Sequence, residues 1–311
     1  MNHSTSTNEN KPAINAQSAS MSAGVWKRFR KHPGAIFGFV ILFILAISAM
    51  LAPLSPYDPE ESEMSARYGP PSLSHPMGTD ALGRDLLTRI LYGGRISLTV
   101  GVLVVILSIM IGVPIGALAG YYGGKIDGLL MRLTDAFLSL PSFLVLILLS
   151  AILREVESPL FERNNVLTIS LVIGVFAWTT FARLVRAAFL TLRETDFVSA
   201  SRALGGSDLR IIVSHILPNA IGPIIVEATL EFGYAIIEES GLSFLGFGIQ
   251  PPTPSWGNLL SNAQEHFVKY PWLAIFPGLM IFLSIISINY IGDGLRDAFD
   301  PYKVLEKVGE F

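Results

Sequence analysis

The chain has 311 residues, 51% of them apolar and only 15% charged, with a net charge of −3. Soluble domains carry roughly 25% charged residues, so the composition excludes a disordered chain and an ordinary water-soluble enzyme. It predicts a protein that uses lipid as solvent. The small net charge supplies no field that would gather nucleic acid. Cysteine is absent, which excludes disulfides, thiolate metal sites and cysteine nucleophiles together.

In chain order, residues 1–31 read as a disordered cytoplasmic tail. The first 24 are rich in Ser, Asn and Thr with no apolar period, and the basic patch Lys27, Arg28, Arg30 and Lys31 follows. A bilayer span needs about 20 mostly apolar residues. Six runs qualify, at 34–53, 96–124, 136–153, 164–182, 221–247 and 270–292. The first belongs to a transmembrane segment 32–56. Segment 57–95 is an extracytoplasmic loop whose prolines prevent long helices in its first half. Its second half carries Leu82, Leu86, Leu87, Ile90 and Leu91, the spacing of an amphipathic helix lying on the membrane face. Asp80 and Arg84 read there as an exposed i,i+4 pair. Residues 96–292 form the core with the remaining five spans, and 293–311 a cytoplasmic tail.

Six spans place both termini on one side. Counted from Lys27 onward, fourteen Lys and Arg fall in segments that a chain with cytoplasmic termini holds inside, and seven fall outside. The positive-inside bias therefore predicts N-in and C-in. The fold class is an all-α integral membrane protein with six transmembrane helices.

The inner loop 190–218 is the most informative stretch. Phe197, Ala200 and Leu204 recur at helical spacing, and Gly205-Gly206 supplies a left-handed helix stop. Ser207 or Asp208 can cap a second short helix, and Pro218 opens the fifth span. The pattern predicts a helix-turn-helix knob; from the residues alone it is equally a surface linker. Ser199, Ala200, Ser201, Gly205, Leu217 and Pro218 match, in spacing, the EAA loop of ABC-importer permeases, with serines where that loop has its glutamate and second alanine. Five further segments extend the match: Gly78-Thr79-Asp80 to Gly83-Arg84-Asp85, Gly94 to Leu98, Leu242 to Gly246, Pro251 to Gly257, and Gly292 to Asp297. From Lys27 to Tyr302 the chain resembles the dipeptide/oligopeptide/nickel permeases of the DppC/OppC type. That resemblance implies the MetI-like, type I permease architecture and a bacterial inner-membrane subunit that imports peptides or related small polar solutes. It implies a second permease subunit, one or two ABC ATPase subunits and an extracytoplasmic solute-binding protein as partners. It also implies that the loop couples transport to the ATPase.

The chain carries no phosphate loop. Around Gly124-Lys125, Ala119 stands where the first glycine belongs and Ile126 where the hydroxyl belongs. ATP and magnesium are therefore expected on partner subunits, and this chain is expected to be non-catalytic and without cofactor. Gly241-Leu242-Ser243 invites comparison with an intramembrane serine protease. None of His3, His32, His75, His215 and His266 lies inside a span to serve as base, and no two stand at metal-ligand spacing. An ion-gradient-driven secondary transporter is the alternative reading of the transport function.

The fifth span holds four glutamates. Glu227, Glu231 and Glu238 lie at offsets of 0, 4 and 11, within about 40° of one another on a helix, while Glu239 points elsewhere. A charge at mid-bilayer costs roughly 2.5–3.5 kcal/mol on the lenient insertion scale. The three are expected to face a translocation path and favour a cationic group, or to meet a partner helix; Glu239 is expected to be structural.

Overall fold

The computed structural model describes residues 24–156 and 166–299. Most of the tail expected at 1–31 and the end of the C-terminal tail lie outside the described residues. Residues 24–29 are helical, and Phe29 is buried against the last helix, so these residues of the expected tail are structured.

Helix α1, Pro33–Met50, starts where His32 Nδ1 accepts a hydrogen bond from the Ala35 amide at 3.0 Å and a proline occupies the first turn. Its 18 residues extend about 27 Å, close to the hydrocarbon thickness of a bilayer. Phe37, Phe43 and Ile44 are each more than half exposed along it, a surface suited to lipid rather than water.

Helix α2, Leu86–Tyr122, is 37 residues long. The expected amphipathic helix on the membrane face is absent as a separate element. Residues 86–91 are the first turns of α2, and Leu86 and Ile90 are buried in an apolar cluster with Leu259 and Leu273. Asp85 starts the helix by accepting from the Thr88 amide at 2.7 Å, a side-chain cap that also favours the positive end of the helix dipole.

The third expected span is not one straight helix. Helix α3, Gly124–Leu138, and helix α4, Ser142–Glu155, meet at an angle of 81°. Pro141 sits at the break; it excludes the preceding residue from helical conformation and cannot donate to the turn before it. Alone, the 14 residues of α4 reach about 21 Å, short of a bilayer core.

Helix α5, Val166–Leu192, runs ten residues beyond its expected end. It packs along α2 through Gly112, Gly116 and Gly120, which recur every fourth residue. A Cβ on these glycines would stand 2.4 Å from the Trp178 oxygen, 2.4 Å from the Ala182 oxygen and 2.5 Å from the Phe189 Cβ, respectively. Side-chain-free positions let the two backbones approach, the means by which helices associate in lipid.

Short helices α6, Asp196–Ala203, and α7, Asp208–Ile211, form a knob at one end of the bundle. One π-helical turn, Ile212–Ile216, joins the knob to helix α8, Leu217–Phe244. At the opposite end α9, Trp256–Ala263, opens with a reciprocal capping box between Ser255 and Asn258. Helix α10, Trp272–Phe299, then returns, and packs against α1 and α8. Its last turns take up residues 293–299, which were expected as tail. Five described segments are long and apolar enough to span a membrane: α1, α2, α5, the run 208–244 and α10; the bent pair α3 and α4 makes a sixth if counted as one.

Candidate functional site

The knob follows from local chemistry. Helix α6 ends in a full Schellman closure: the Gly206 amide bonds the Ser201 carbonyl and the Gly205 amide bonds the Arg202 carbonyl, each at 3.0 Å. That closure needs a left-handed residue, and Gly205 has φ +79°. Ser207 stands at the cap position of α7, as the sequence suggests, without a side-chain bond. Pro218 lies in the first turn of α8.

Helix α6 buries one residue against the bundle and turns its apolar stripe outward. Val198 and Ile211 are fully buried and anchor the knob in a cluster with Phe181, Val185 and Phe189 of α5 and Ile216 beside α8. Phe197, Leu204 and Leu209 instead point outward, with exposures of 41%, 89% and 71%. Ser199, Ala200 and Gly205 are exposed beside them, Ser201 and Leu217 are half-buried, and Pro218 is exposed. Of the six sequence-predicted positions, Ser199, Ala200, Ser201 and Gly205 lie on α6 and its closing turn, and Leu217 and Pro218 open α8. Ser199 to Gly205 make the tip, while Leu217 and Pro218 belong to the stem.

The sequence gives no sign of how the knob is tied to the bundle. Tyr121, in the last turn of α2, donates its hydroxyl to Asp208 Oδ1 at 2.6 Å. The Arg202 guanidinium lies 5.9 Å from its ring centre. Arg193, just past α5, donates to the carbonyls of Gly120 and Tyr121 at 3.1 and 3.4 Å, covering open acceptors at the α2 terminus. Nearby, Arg186 of α5 pairs with Asp127 of α3 through a 2.6 Å bond, and Arg183 pairs with Asp135.

The glutamates of α8 separate as their spacing predicts. Glu227, Glu231 and Glu238 share a face of one continuous helix. Glu231 is 6% exposed, and the other two are half-buried. Among the described residues, none of the three forms an ion pair within the chain. Glu239 has different surroundings. Fully buried, it accepts from Ser97 Oγ of α2 at 2.8 Å and from Ser243 Oγ at 2.7 Å. Ser97 Oγ in turn accepts from the Trp256 amide at 3.3 Å, so Glu239 ties α2, α8 and the start of α9 together.

At the loop end, Asp80 and Arg84 do pair, at 2.7 Å, but not as an exposed helical couple. Both are buried in a tight turn closed by the Asp80 amide on the Arg84 carbonyl and by a bridge between Thr79 and Asp85. Arg89, wholly buried, reaches from α2 to the Pro59 carbonyl at 2.6 Å. His75 Nδ1 meets Asp85 at 2.9 Å. These bonds fold the outer loop onto the start of α2.

Comparison with known proteins places this geometry. Residues 112–303 match the model for the binding-protein-dependent transport system inner membrane component, and residues 20–71 match the N-terminal TM domain of oligopeptide transport permease C. The dipeptide transport system permease protein DppC of Alkalihalophilus pseudofirmus is 43% identical over 278 residues, covering 89% of this chain and 88% of that one. The glutathione transport system permease protein GsiD of Pectobacterium atrosepticum is 39% identical, covering 89% of each. A solved structure of the MetNI methionine ABC transporter in an inward-facing conformation aligns with a TM-score of 0.56 at 19% identity, over 68% of this chain and 96% of its own.

Proposed function

The chain belongs to the inner membrane components of binding-protein-dependent transport systems, and on that premise we propose that it is the permease subunit through which an ATP-driven importer moves peptides or related small polar solutes across a bacterial inner membrane. Relatives named as dipeptide and glutathione permeases support that solute class. They also favour the ATP-driven reading over the ion-gradient one. Its fold is the all-helical, MetI-like one.

The observation that carries the reading is the knob. Phe197, Leu204 and Leu209 are held out to solvent on a helix-turn-helix whose other side is locked into the bundle by Val198 and Ile211. Exposed apolar residues clustered on a rigid mount form a surface for a protein partner. In this reading that partner is the ABC ATPase, with Ser199, Ala200, Ser201 and Gly205 at the contact and Leu217 and Pro218 as the stem. ATP and magnesium sit on the ATPase. A second permease subunit completes the pathway, and a binding protein delivers solute from outside. Both termini are cytoplasmic.

ATP binding closes the ATPase, the knob moves with it, and the bundle exchanges inward-open for outward-open. Nucleotide shifts that equilibrium only by its different affinity for the two states. Glu227, Glu231 and Glu238 line the path, where carboxylates without an internal partner favour a peptide's amino terminus or basic side chain.

The test uses the absence of native cysteine. Ala200→Cys in the assembled importer should form a cross-link to a cysteine on the ATPase surface, and Ser65→Cys at the other end should not. No cross-link from Ala200 to any tested ATPase position, in a complex that still hydrolyses ATP, refutes docking at the knob.

A further inference from the structure

We infer that Tyr121 is a positioning residue that transmits movement of the knob to α2. The inference rests on the docking reading above and assigns a residue that reading does not contain.

Two elements of the knob converge on this one side chain. Asp208, the first residue of α7, accepts its hydroxyl at 2.6 Å, and Arg202 of α6 places its guanidinium 5.9 Å from the ring centre. A hydroxyl bonded to a carboxylate is among the stronger hydrogen bonds, and a cation over an aromatic face adds attraction. The ring itself is 6% exposed and belongs to the apolar cluster that includes Val198 and Ile211. Tyr121 is therefore gripped by both short helices.

Its backbone is equally constrained. Tyr121 lies in the last turn of α2, and Arg193 holds the terminal carbonyls. α2 is one continuous helix of 37 residues, with Pro114 inside it, whose far end carries the packed outer loop through Asp85 and Arg89. A displacement of the knob thus acts on the inner end of a helix that reaches the opposite face.

The connection on the α8 side is softer. Between the knob and α8 lies the π-helical turn Ile212–Ile216, a geometry that accommodates local adjustment. The knob thus meets α2 through the side-chain contacts of Tyr121 and meets α8 through the π turn.

The experiment reads α2 directly with Mg-ATP as the probe. Spin labels go on Met50→Cys, at the loop end of α1, and Leu118→Cys, toward the knob end of α2, in the full importer built with cysteine-free partners. Mg-ATP is expected to shift the distance between them. Tyr121→Phe keeps the ring and the apolar packing but removes the hydroxyl, and should lower the equilibrium constant for the Mg-ATP-shifted population about tenfold, the order expected for a hydrogen bond to a charged group. Asp208→Asn is the second variant should the first assemble poorly, and should act the same way. The double variant should lose no more than either single one.

The Ala200 cross-link, measured in the same complexes, reports docking separately. A cross-link that forms normally while Tyr121→Phe and Asp208→Asn keep the full shift refutes the transmitting role alone. A cross-link lost in both variants also refutes it, because the contact then serves only to build the knob. A wild-type chain without the cross-link refutes docking, and the inference falls with it.

Discussion

Gly205 occupies the turn that shapes the exposed tip. Its φ of +79° costs an ordinary L-residue about 1–2 kcal/mol, yet no atom lies within 4 Å of where its Cβ would stand. Strain and crowding are therefore separable here. Gly205→Val should lower uptake several-fold while the permease still inserts, and Gly205→Asn, which tolerates the left-handed region, should retain most of it. Normal uptake by the valine variant, measured with its ATPase partners present, removes this glycine from any coupling role.

Glu231 poses a different question at the same scale. It is 6% exposed, and no cation of the described chain pairs with it. Glu231→Gln and Glu238→Gln preserve shape and remove charge. Each should reduce uptake of a lysine-containing peptide about tenfold relative to a neutral peptide of equal length, the order of one charge-assisted hydrogen bond. Parallel loss of both peptides, or loss of neither, speaks against a cation-favouring face. Glu239 was legible as different from its angle on the helix. Its partner Ser97 lies 142 positions away, a distance that no local pattern bridges.

At the scale of elements, hydropathy located the spans because lipid imposes a simple demand for apolar length. It misjudged their ends for identifiable reasons. The apolar run 136–153 conceals the bend at Pro141, since hydropathy carries no information about backbone geometry. The start of α2 looked like surface helix because Arg84, Asp85 and Arg89 are charged; they are buried once Asp80, the Pro59 carbonyl and Thr88 pair with them. The stripe Phe197, Ala200 and Leu204 was visible in the sequence, but its direction was not. Apolar period says that a face is covered, and in a subunit the cover can belong to another chain. The π turn at 212–216 has no composition signal at all. The closing turn needs no glutamate at position 199, because the Schellman closure depends on Gly205 and the helix before it, not on the side chain of Ser199.

For the whole molecule, the direction of insertion decides which face meets the ATPase. The bundle has two chemically distinct ends. One carries the knob with Arg183, Arg186, Arg193, Arg202 and Arg210. The other carries the proline-rich loop, in which Arg84 is paired and Arg89 buried. Lys and Arg are more numerous at the knob end, and the positive-inside bias keeps that end in the cytoplasm. α1 begins at His32 and α10 ends at Phe299. With the bent pair α3 and α4 counted as one span, six crossings return the chain to its starting side. A reporter fused after Phe311 should therefore behave as cytoplasmic, and one inserted beside Ser62, in the exposed part of the outer loop, as extracytoplasmic. α2 and α5 both run toward the knob, as the contacts of Gly112, Gly116 and Gly120 require, so the stretch between them returns the chain to the opposite end. The pair of reporters tests this arrangement. An extracytoplasmic signal from Phe311 with the same signal from Ser62 refutes six crossings, and a cytoplasmic signal from Ser62 means the whole bundle is inverted.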